Sequence, residues 1–195
     1  GILDNGANGM FIPVGTEYHT PVNVVDPANG KVQWHVWEEM GSEFISTTEY
    51  CGFHLTDMVF VDVDGDRDRE IVFGTKYNRV YAIEAKDGRL CWQANVGAEV
   101  TALRTFRDPG GAGERIAVAT DAGDVVVLDS AGNRIAFASF GSPIADMVVI
   151  ERPGAPRVDL ALATEDGRVI VCDADLLVRA SYRGEGGAVR TVTVA

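Results

Sequence analysis

The sequence is poor in basic residues and in cysteine, and it contains no long apolar segment. Lysine and arginine number 17 against 29 aspartates and glutamates, so the formal net charge is −12. Such an acidic protein lacks the basic surface that binds nucleic acid, and anionic lipid repels it. No apolar run approaches the roughly 20 residues of a membrane-spanning helix. We therefore expect neither a nucleic-acid partner nor a membrane span.

The three cysteines do not form the usual cysteine motifs. Cys51, Cys91 and Cys172 include no Cys-x-x-Cys pair, which argues against a zinc site or a thioredoxin-like redox centre. Cys91 and Cys172 lie within apolar strand patterns, where cysteine commonly acts as a small buried hydrophobic residue. The segment Gly1–Asp4 has no initiator methionine and no basic stretch of a signal peptide, so we expect a processed terminus or a cut within a longer chain.

The sequence repeats itself. Val80–Trp92 (VYAIEAKDGRLCW) echoes Val22–Trp34 (VNVVDPANGKVQW), and weaker copies begin at Val125 and Val169. The acidic residues that close these strands, at positions 26, 84, 129 and 173, lie 58, 45 and 44 residues apart. An interval near 45 residues is typical of a four-stranded propeller blade and favours that architecture over a sandwich. The longer first interval contains an insertion of about 13 residues.

Each unit shows four short strand patterns separated by turns. Tight turns follow the second strand at Tyr77-Asn78, Ala122-Gly123 and Asp166-Gly167, which are residues suited to hairpins. We predict an all-β fold, a β-propeller of four-stranded antiparallel blades with about four blades present. The units are approximately 1–56, 57–101, 102–145 and 146–195.

The ends of the chain suggest that these blades are part of a larger ring. The residues before Met10 are too few and too polar for a good first strand, and Val189–Val194 reads as the first strand of a following blade. A four-bladed ring closed by that last strand is the alternative. We favour a part of a larger ring, because radial repeats need closure or a cap to cover their end faces.

The outer-strand motif resembles the tryptophan-docking repeat of quinoprotein-type, PQQ-like propellers, Ala-x-Asp-x-x-Thr-Gly-x-x-x-Trp. The matching residues are Ala82, Glu84, Asp87, Gly88 and Trp92 in one copy and Val24, Asp26, Asn29, Gly30 and Trp34 in another. Val127, Asp129 and Phe137 form a weakened third copy, and Val171 with Asp173 a minimal fourth. The resemblance implies that each tryptophan packs between adjacent blades, and that Phe137 replaces it in the third.

The same resemblance says less about activity. The PQQ-like family includes quinone-dependent dehydrogenases, assembly scaffolds and secreted proteins. Many of the dehydrogenases place an adjacent cysteine pair over the quinone, and this sequence has no such pair. The departure argues against PQQ as a cofactor and against a dehydrogenase.

An acidic loop in the second unit, Asp62–Glu70 (DVDGDRDRE), is the strongest chemical motif. Alternate carboxylates of a turn can converge on one hard cation such as Ca2+. The loop resembles the calcium loop of FG-GAP propellers, which implies that Asp62, Asp64, Asp66 and Glu70 are the ligands. Arg67 stands where that loop has a second glycine. The alternative is a solvated acidic turn that Arg67 and Arg69 neutralise without metal.

The loops of the opposite face are the expected ligand site. Turns after second strands and connections before first strands open on one face of a propeller. That face should gather Tyr18, His19, Lys76, Tyr77 and His54, together with the insertion. A metal site formed by His19, His54 and Cys51 is a further alternative.

We expect a non-catalytic binding or scaffold module of a larger protein, exported to the periplasm or the extracellular space. Its partner would be a protein or a carbohydrate, and calcium would stabilise the acidic loop. One alternative is part of a propeller enzyme, either a quinoprotein dehydrogenase or a polysaccharide lyase or hydrolase. Another is a structural subunit that self-associates through open sheet edges, which would otherwise be completed by more chain.

Overall fold

A computed structural model describes residues 3–4, 10–15, 22–35, 54–108, 110–111, 113–151 and 157–193. Within these ranges the chain forms sixteen β-strands, arranged as four antiparallel sheets of four strands. In each sheet the strands lie side by side in chain order. Sequential meanders of this kind are the blades that the repeat predicts.

The strand bounds follow the repeat. The first sheet contains β1 (Leu3–Asp4), β2 (Met10–Gly15), β3 (Val22–Val25) and β4 (Val32–His35). The second contains β5 (Leu55–Val61), β6 (Glu70–Thr75), β7 (Arg79–Ile83) and β8 (Leu90–Asn95). The third contains β9 (Val100–Arg107), β10 (Glu114–Thr120), β11 (Asp124–Leu128) and β12 (Arg134–Ser139). The fourth contains β13 (Ile144–Glu151), β14 (Val158–Thr164), β15 (Arg168–Asp173) and β16 (Val178–Arg183).

Burial is greatest in the second strands and least in the fourth strands. β6 and β14 are buried along their whole length, as expected for apolar strands covered on both faces. β16 is exposed along its whole length. The first strands of successive sheets contact each other, β5 with β9 and β9 with β13. The first strands therefore lie together at the inside, and the fourth strands lie at the outside.

Three apolar clusters fill the spaces between successive sheets. The cluster between the second and third sheets includes Val72 and Val80 on one side and Leu103 and Val118 on the other, all completely buried. At roughly 25 cal/mol for each Å² of apolar surface removed from water, such contacts dominate the stability of the fold.

The ends of the chain differ from the sequence prediction. A first strand precedes Met10 after all, because Leu3 and Asp4 pair with β2. The described part of Val189–Val194 is not a strand. It nevertheless lies beside β13, since the Val192 N–H donates to Asp146 Oδ2 over 3.1 Å and the Thr191 hydroxyl donates to the same oxygen over 2.9 Å.

Trp34 and Trp92 connect neighbouring sheets. The indole N–H of Trp34 donates to the Ala85 carbonyl of the second sheet over 3.1 Å. The indole N–H of Trp92 donates to the Ser130 carbonyl of the third sheet over 2.8 Å. Each tryptophan therefore docks on the turn between the third and fourth strands of the next sheet, as the sequence resemblance implies.

A glycine receives each indole ring. A Cβ atom on Gly88 would lie 2.8 Å from the Trp34 ring, and one on Gly132 would lie 2.7 Å from the Trp92 ring. Both glycines also have a positive φ, +72° and +80° respectively, which L-residues rarely adopt. The close approach of the ring and the positive φ both favour glycine at these turns.

The prediction that Phe137 takes the tryptophan position in the third sheet is wrong. Trp92 pairs with Ala82, and at the corresponding position of the third sheet Ala136 pairs with Val127. Phe137 is therefore one residue beyond the position that corresponds to Trp92. Its side chain does not occupy the docking position, and 52% of its surface is exposed. A shift of one residue moves a side chain to the other face of a strand.

Leu176 compensates for the missing aromatic ring. It lies in the turn of the fourth sheet, adopts a φ of 65° and is only 5% exposed. Its side chain belongs to the apolar cluster against which Ala136 packs. Where the two earlier interfaces combine tryptophan with glycine, this interface combines alanine with leucine.

Candidate functional site

The upper face is defined as the side of the sheets that carries the turns after the second strands and the residues just before the first strands. The same backbone hydrogen bond recurs there three times, from the turn to the residue before the first strand. The bonds are Lys76 N–H to the His54 carbonyl (3.2 Å), Asp121 N–H to Glu99 (3.0 Å) and Glu165 N–H to Pro143 (2.9 Å). These residues therefore occupy equivalent positions in three successive sheets.

Three of the predicted ligand-face residues lie together. The rings of His54 and Tyr77 meet edge to face with their centroids 5.7 Å apart, and Lys76 precedes Tyr77 in the turn. Tyr18, His19 and Cys51 lie outside the described residues, as does most of the insertion. The suggested metal site of His19, His54 and Cys51 consequently stays a prediction.

The upper face also contains a cavity of about 610 Å³ among the first strands, which we call the upper cavity. Its polar and charged lining residues come from β5, from β9 and the residue before it, from the turns after β10 and β14, and from the segment after β16. They are Thr56, Glu99, Thr101, Asp121, Glu165 and Arg190. Sequence reasoning missed this group, although each residue either adjoins a first-strand pattern or lies in a turn after a second strand.

The acidic loop lies on the opposite, lower face and is organised by its own carboxylates. Asp62 accepts the N–H groups of Gly65 (2.7 Å) and Arg67 (3.2 Å). Asp64 accepts the Asp66 N–H over 3.1 Å, and Asp66 in turn accepts the Asp68 N–H. Arg67 has a φ of 79°, the left-handed conformation that glycine has in the resembling loop.

Three of the four predicted metal ligands converge. Carboxylate oxygens of Asp62, Asp64 and Glu70 all lie within 4.8 Å of one another, and Asp66 is not in this group. Arg69 links the loop to the third sheet, because its guanidinium lies 3.0 Å from the Glu114 carboxylate and donates to the Phe60 carbonyl.

Glu70 is the buried member of this group, with 1% of its surface exposed. Burial raises the pKa of its carboxyl to about 7, against the opposing effect of the hydrogen bond from the Val63 N–H. The negative charges of Asp64, Glu84 and Asp66 raise the pKa further. A bound cation would relieve the same burial and repulsion.

We expect the unfolding free energy to fall as pH rises when divalent metal is absent. The pKa of Glu70 is about 7 in the fold against 4.5 in the unfolded chain. The stabilisation that the fold gains from protonated Glu70 is therefore fully present below pH about 4.5 and is lost as pH rises through 7. At 1.36 kcal/mol per pKa unit the loss is about 3 kcal/mol. Urea unfolding in chelator between pH 5 and pH 8.5 measures it. Glu70→Gln should flatten this dependence and the exposed Glu151→Gln should not, so equal slopes in both variants would contradict the assignment.

A second charged group connects the first strands. The Arg104 guanidinium of β9 lies 2.9 Å from Asp57 of β5 and 2.9 Å from Asp146 of β13. Burial would raise the pKa of Asp146, but hydrogen bonds from Val192, Thr191 and its own following N–H, together with the Arg104 charge, hold that pKa below its usual value. The sequence carried a signal, because Asp-Met recurs at the third position of β5 and β13.

Solved structures of similar shape are propellers that differ widely in sequence. One is BBS1N in complex with ARL6DN, with TM-score 0.66 and 16% identity over 96% of this chain and 54% of that chain. Another is the computationally designed Ika8 protein, with TM-score 0.67 and 17% identity over 99% and 52%. BamB from Moraxella catarrhalis gives TM-score 0.58 and 17% identity over 94% and 48%. This chain spans about half the length of each. These similarities confirm the predicted propeller fold.

Sequence comparison identifies the family. No curated protein matches the sequence. Among the described residues there is no helix that could cross a membrane. The family model described as outer membrane protein assembly factor BamB matches residues 19–176, well over half of the chain. The chain therefore belongs to this BamB-type, PQQ-like propeller family.

Proposed function

We propose that the chain is a non-catalytic binding or scaffold module of a larger, exported protein, and that its upper face holds a protein partner. The pairing of His54 with Tyr77 carries the proposal. An aromatic pair beside Lys76, on loops fixed by rigid sheets, offers apolar contact area together with hydrogen-bonding groups. Aromatic side chains of this kind are enriched in protein interfaces.

The similar proteins support this proposal. BBS1N was crystallised in complex with ARL6DN, and BamB is described as an assembly factor of outer membrane proteins. A protein partner is thus favoured over a carbohydrate, and the BamB description favours the periplasm over the extracellular space. Since the chain spans about half of these structures, further blades outside the sequence would form part of the same scaffold.

Site-specific photo-crosslinking tests the proposed face. A photoreactive phenylalanine at Tyr77 should give a discrete crosslinked product in the source cells, and the same residue at Asp66 on the lower face should not. Mass spectrometry of the product identifies the partner. Equal products from both positions, or none from Tyr77, would exclude the upper face as the interface.

We also propose that the acidic loop binds Ca2+ as a structural ion. The converging oxygens of Asp62, Asp64 and Glu70 support this, because calcium takes six to eight oxygen ligands, usually from carboxylates, carbonyls and water. Asp66, the fourth ligand that the sequence predicts, lies outside this converging group. The ion would brace the turn between β5 and β6.

Calcium is expected to raise the melting temperature. At a concentration about 100 times Kd the stabilisation is about 2.7 kcal/mol, which corresponds to roughly 5–10 °C for a domain of this size. Thermal melting with calcium and with chelator measures the shift. Asp64→Asn should abolish it, whereas Asp68→Asn, a neighbour outside the converging group, should preserve it. An unchanged melting temperature in the parent protein would remove the metal from the proposal.

A further inference from the structure

The upper cavity is strongly acidic. Glu99, Asp121 and Glu165 line it, and Arg190 is the one basic residue among its described lining. In the described part of the chain none of the three carboxylates is in a salt bridge. A concave site with an excess of unpaired negative charge attracts cations, because low-dielectric walls focus the field.

The spacing of these carboxylates does not suit a bare metal ion. Among the described residues, only Asp62, Asp64 and Glu70 bring potential ligand atoms within 4.8 Å of one another. The three carboxylates of the upper cavity do not all lie within that distance of one another. A cation that takes one carboxylate as a direct hydrogen-bond acceptor, and is attracted by the other two at longer range, fits this arrangement.

Two threonines supply further hydrogen-bonding groups. Thr56 and Thr101 occupy the same second position of β5 and β9, and both line the cavity. Their hydroxyl oxygens are buried and have no hydrogen-bond partner. An unsatisfied buried hydroxyl is costly, and rotation about χ1 would turn it towards a bound donor.

The donor that fits is an ammonium group. A primary ammonium carries three N–H donors and no acceptor, so it needs acceptors on several sides. One carboxylate and the two rotated hydroxyls would supply three such acceptors. The apolar lining beside them, Val100, Pro143 and Ile144, suits an alkyl chain.

We propose that the upper cavity binds a primary alkylammonium group, as carried by a lysine side chain of the protein partner or by a polyamine. The inference rests on the proposed function, since the cavity opens on the same upper face as His54 and Tyr77. It adds the chemistry by which that face recognises its ligand.

Calorimetry with defined probes tests the inference. The probes are a capped Ala-Lys-Ala peptide, the same peptide acetylated on the lysine Nζ, and spermidine. We expect the lysine peptide to bind and its acetylated form not to bind. Glu99→Gln and Glu165→Gln should each weaken binding, about tenfold for the carboxylate that accepts the ammonium N–H and less for the other, which attracts the cation at longer range. Binding of spermidine alone would assign the cavity to free polyamines.

Matched variants distinguish binding in the upper cavity from unspecific attraction of cations to the acidic protein. Thr101→Val should weaken binding because it removes only the hydroxyl, and Arg190→Gln should tighten binding because it removes the lining cation. Glu151→Gln, outside the cavity, should leave the affinity unchanged. Equal binding of the acetylated peptide, unchanged affinity of both glutamine variants in the cavity, or no binding of either amine would overturn the proposal. If the cavity fails these tests but Tyr77 still gives the crosslinked product, the proposed protein partner is supported and only the ammonium site is excluded.

Discussion

Replacing Trp92 with alanine is expected to cost about 3 kcal/mol of unfolding free energy. The change removes an indole ring that packs between two sheets and leaves the Ser130 carbonyl without the hydrogen bond it accepts over 2.8 Å. Truncating a large aromatic side chain in such a contact typically costs about 3–5 kcal/mol, and the partial exposure of Trp92 places it at the low end. Urea unfolding measures the loss. Phe137→Ala is the control and should cost less than about 1 kcal/mol, because the ring is half exposed.

The interface of the third and fourth sheets shows how that loss can be recovered. It places leucine in the turn at a positive φ opposite an alanine, so Gly132→Leu should partly rescue Trp92→Ala. In the parent protein Gly132→Leu alone should be strongly destabilising, because its Cβ would lie 2.7 Å from the Trp92 ring. We expect a favourable coupling energy of about 1–2 kcal/mol from the double-mutant cycle. Additive effects would show that the two residues do not share one space.

Much of the fold could be predicted from the sequence because the relevant signals are local. Apolar runs of a few residues, tight turns and a period near 45 residues define the strands and their order. The position of Phe137 could not be predicted by matching residue types. The turn from Asp129 to Arg134 is one residue shorter than the turn from Glu84 to Leu90, and the pairing of β12 follows this length rather than the aromatic residue.

A candidate site could be predicted only where its residues are close together in the sequence. Asp62, Asp64 and Glu70 lie within one loop, so alternation of carboxylates sufficed to bring them together. The same alternation included Asp66, whose side chain instead accepts the Asp68 N–H. The upper cavity draws its residues from different sheets. Their proximity depends on how the sheets pack, which no local pattern records.

Arg104 is the second position where a single substitution should be severe. Arg104→Met preserves the length of the side chain but leaves Asp57 and Asp146 without the cation between them. Removing one partner of a buried ion pair typically costs about 3–5 kcal/mol. These groups are partly exposed to solvent, so we expect about 2–3 kcal/mol at neutral pH. Arg107→Met, an exposed arginine of the same strand, should change stability by less than about 0.5 kcal/mol.

The pH dependence identifies the cause of the Arg104 effect. Asp146 has a lowered pKa in the parent protein, so its contribution to stability is present above pH about 4 and is lost as pH falls through that lowered pKa. Without Arg104 the two carboxylates lose their shared cation, which reduces this contribution at neutral pH. The difference between parent and variant should therefore be largest near pH 7 and shrink as pH falls through the lowered pKa of Asp146. A difference that does not change with pH would show that Arg104 acts through packing, and Asp57→Asn would then fail to relieve the variant.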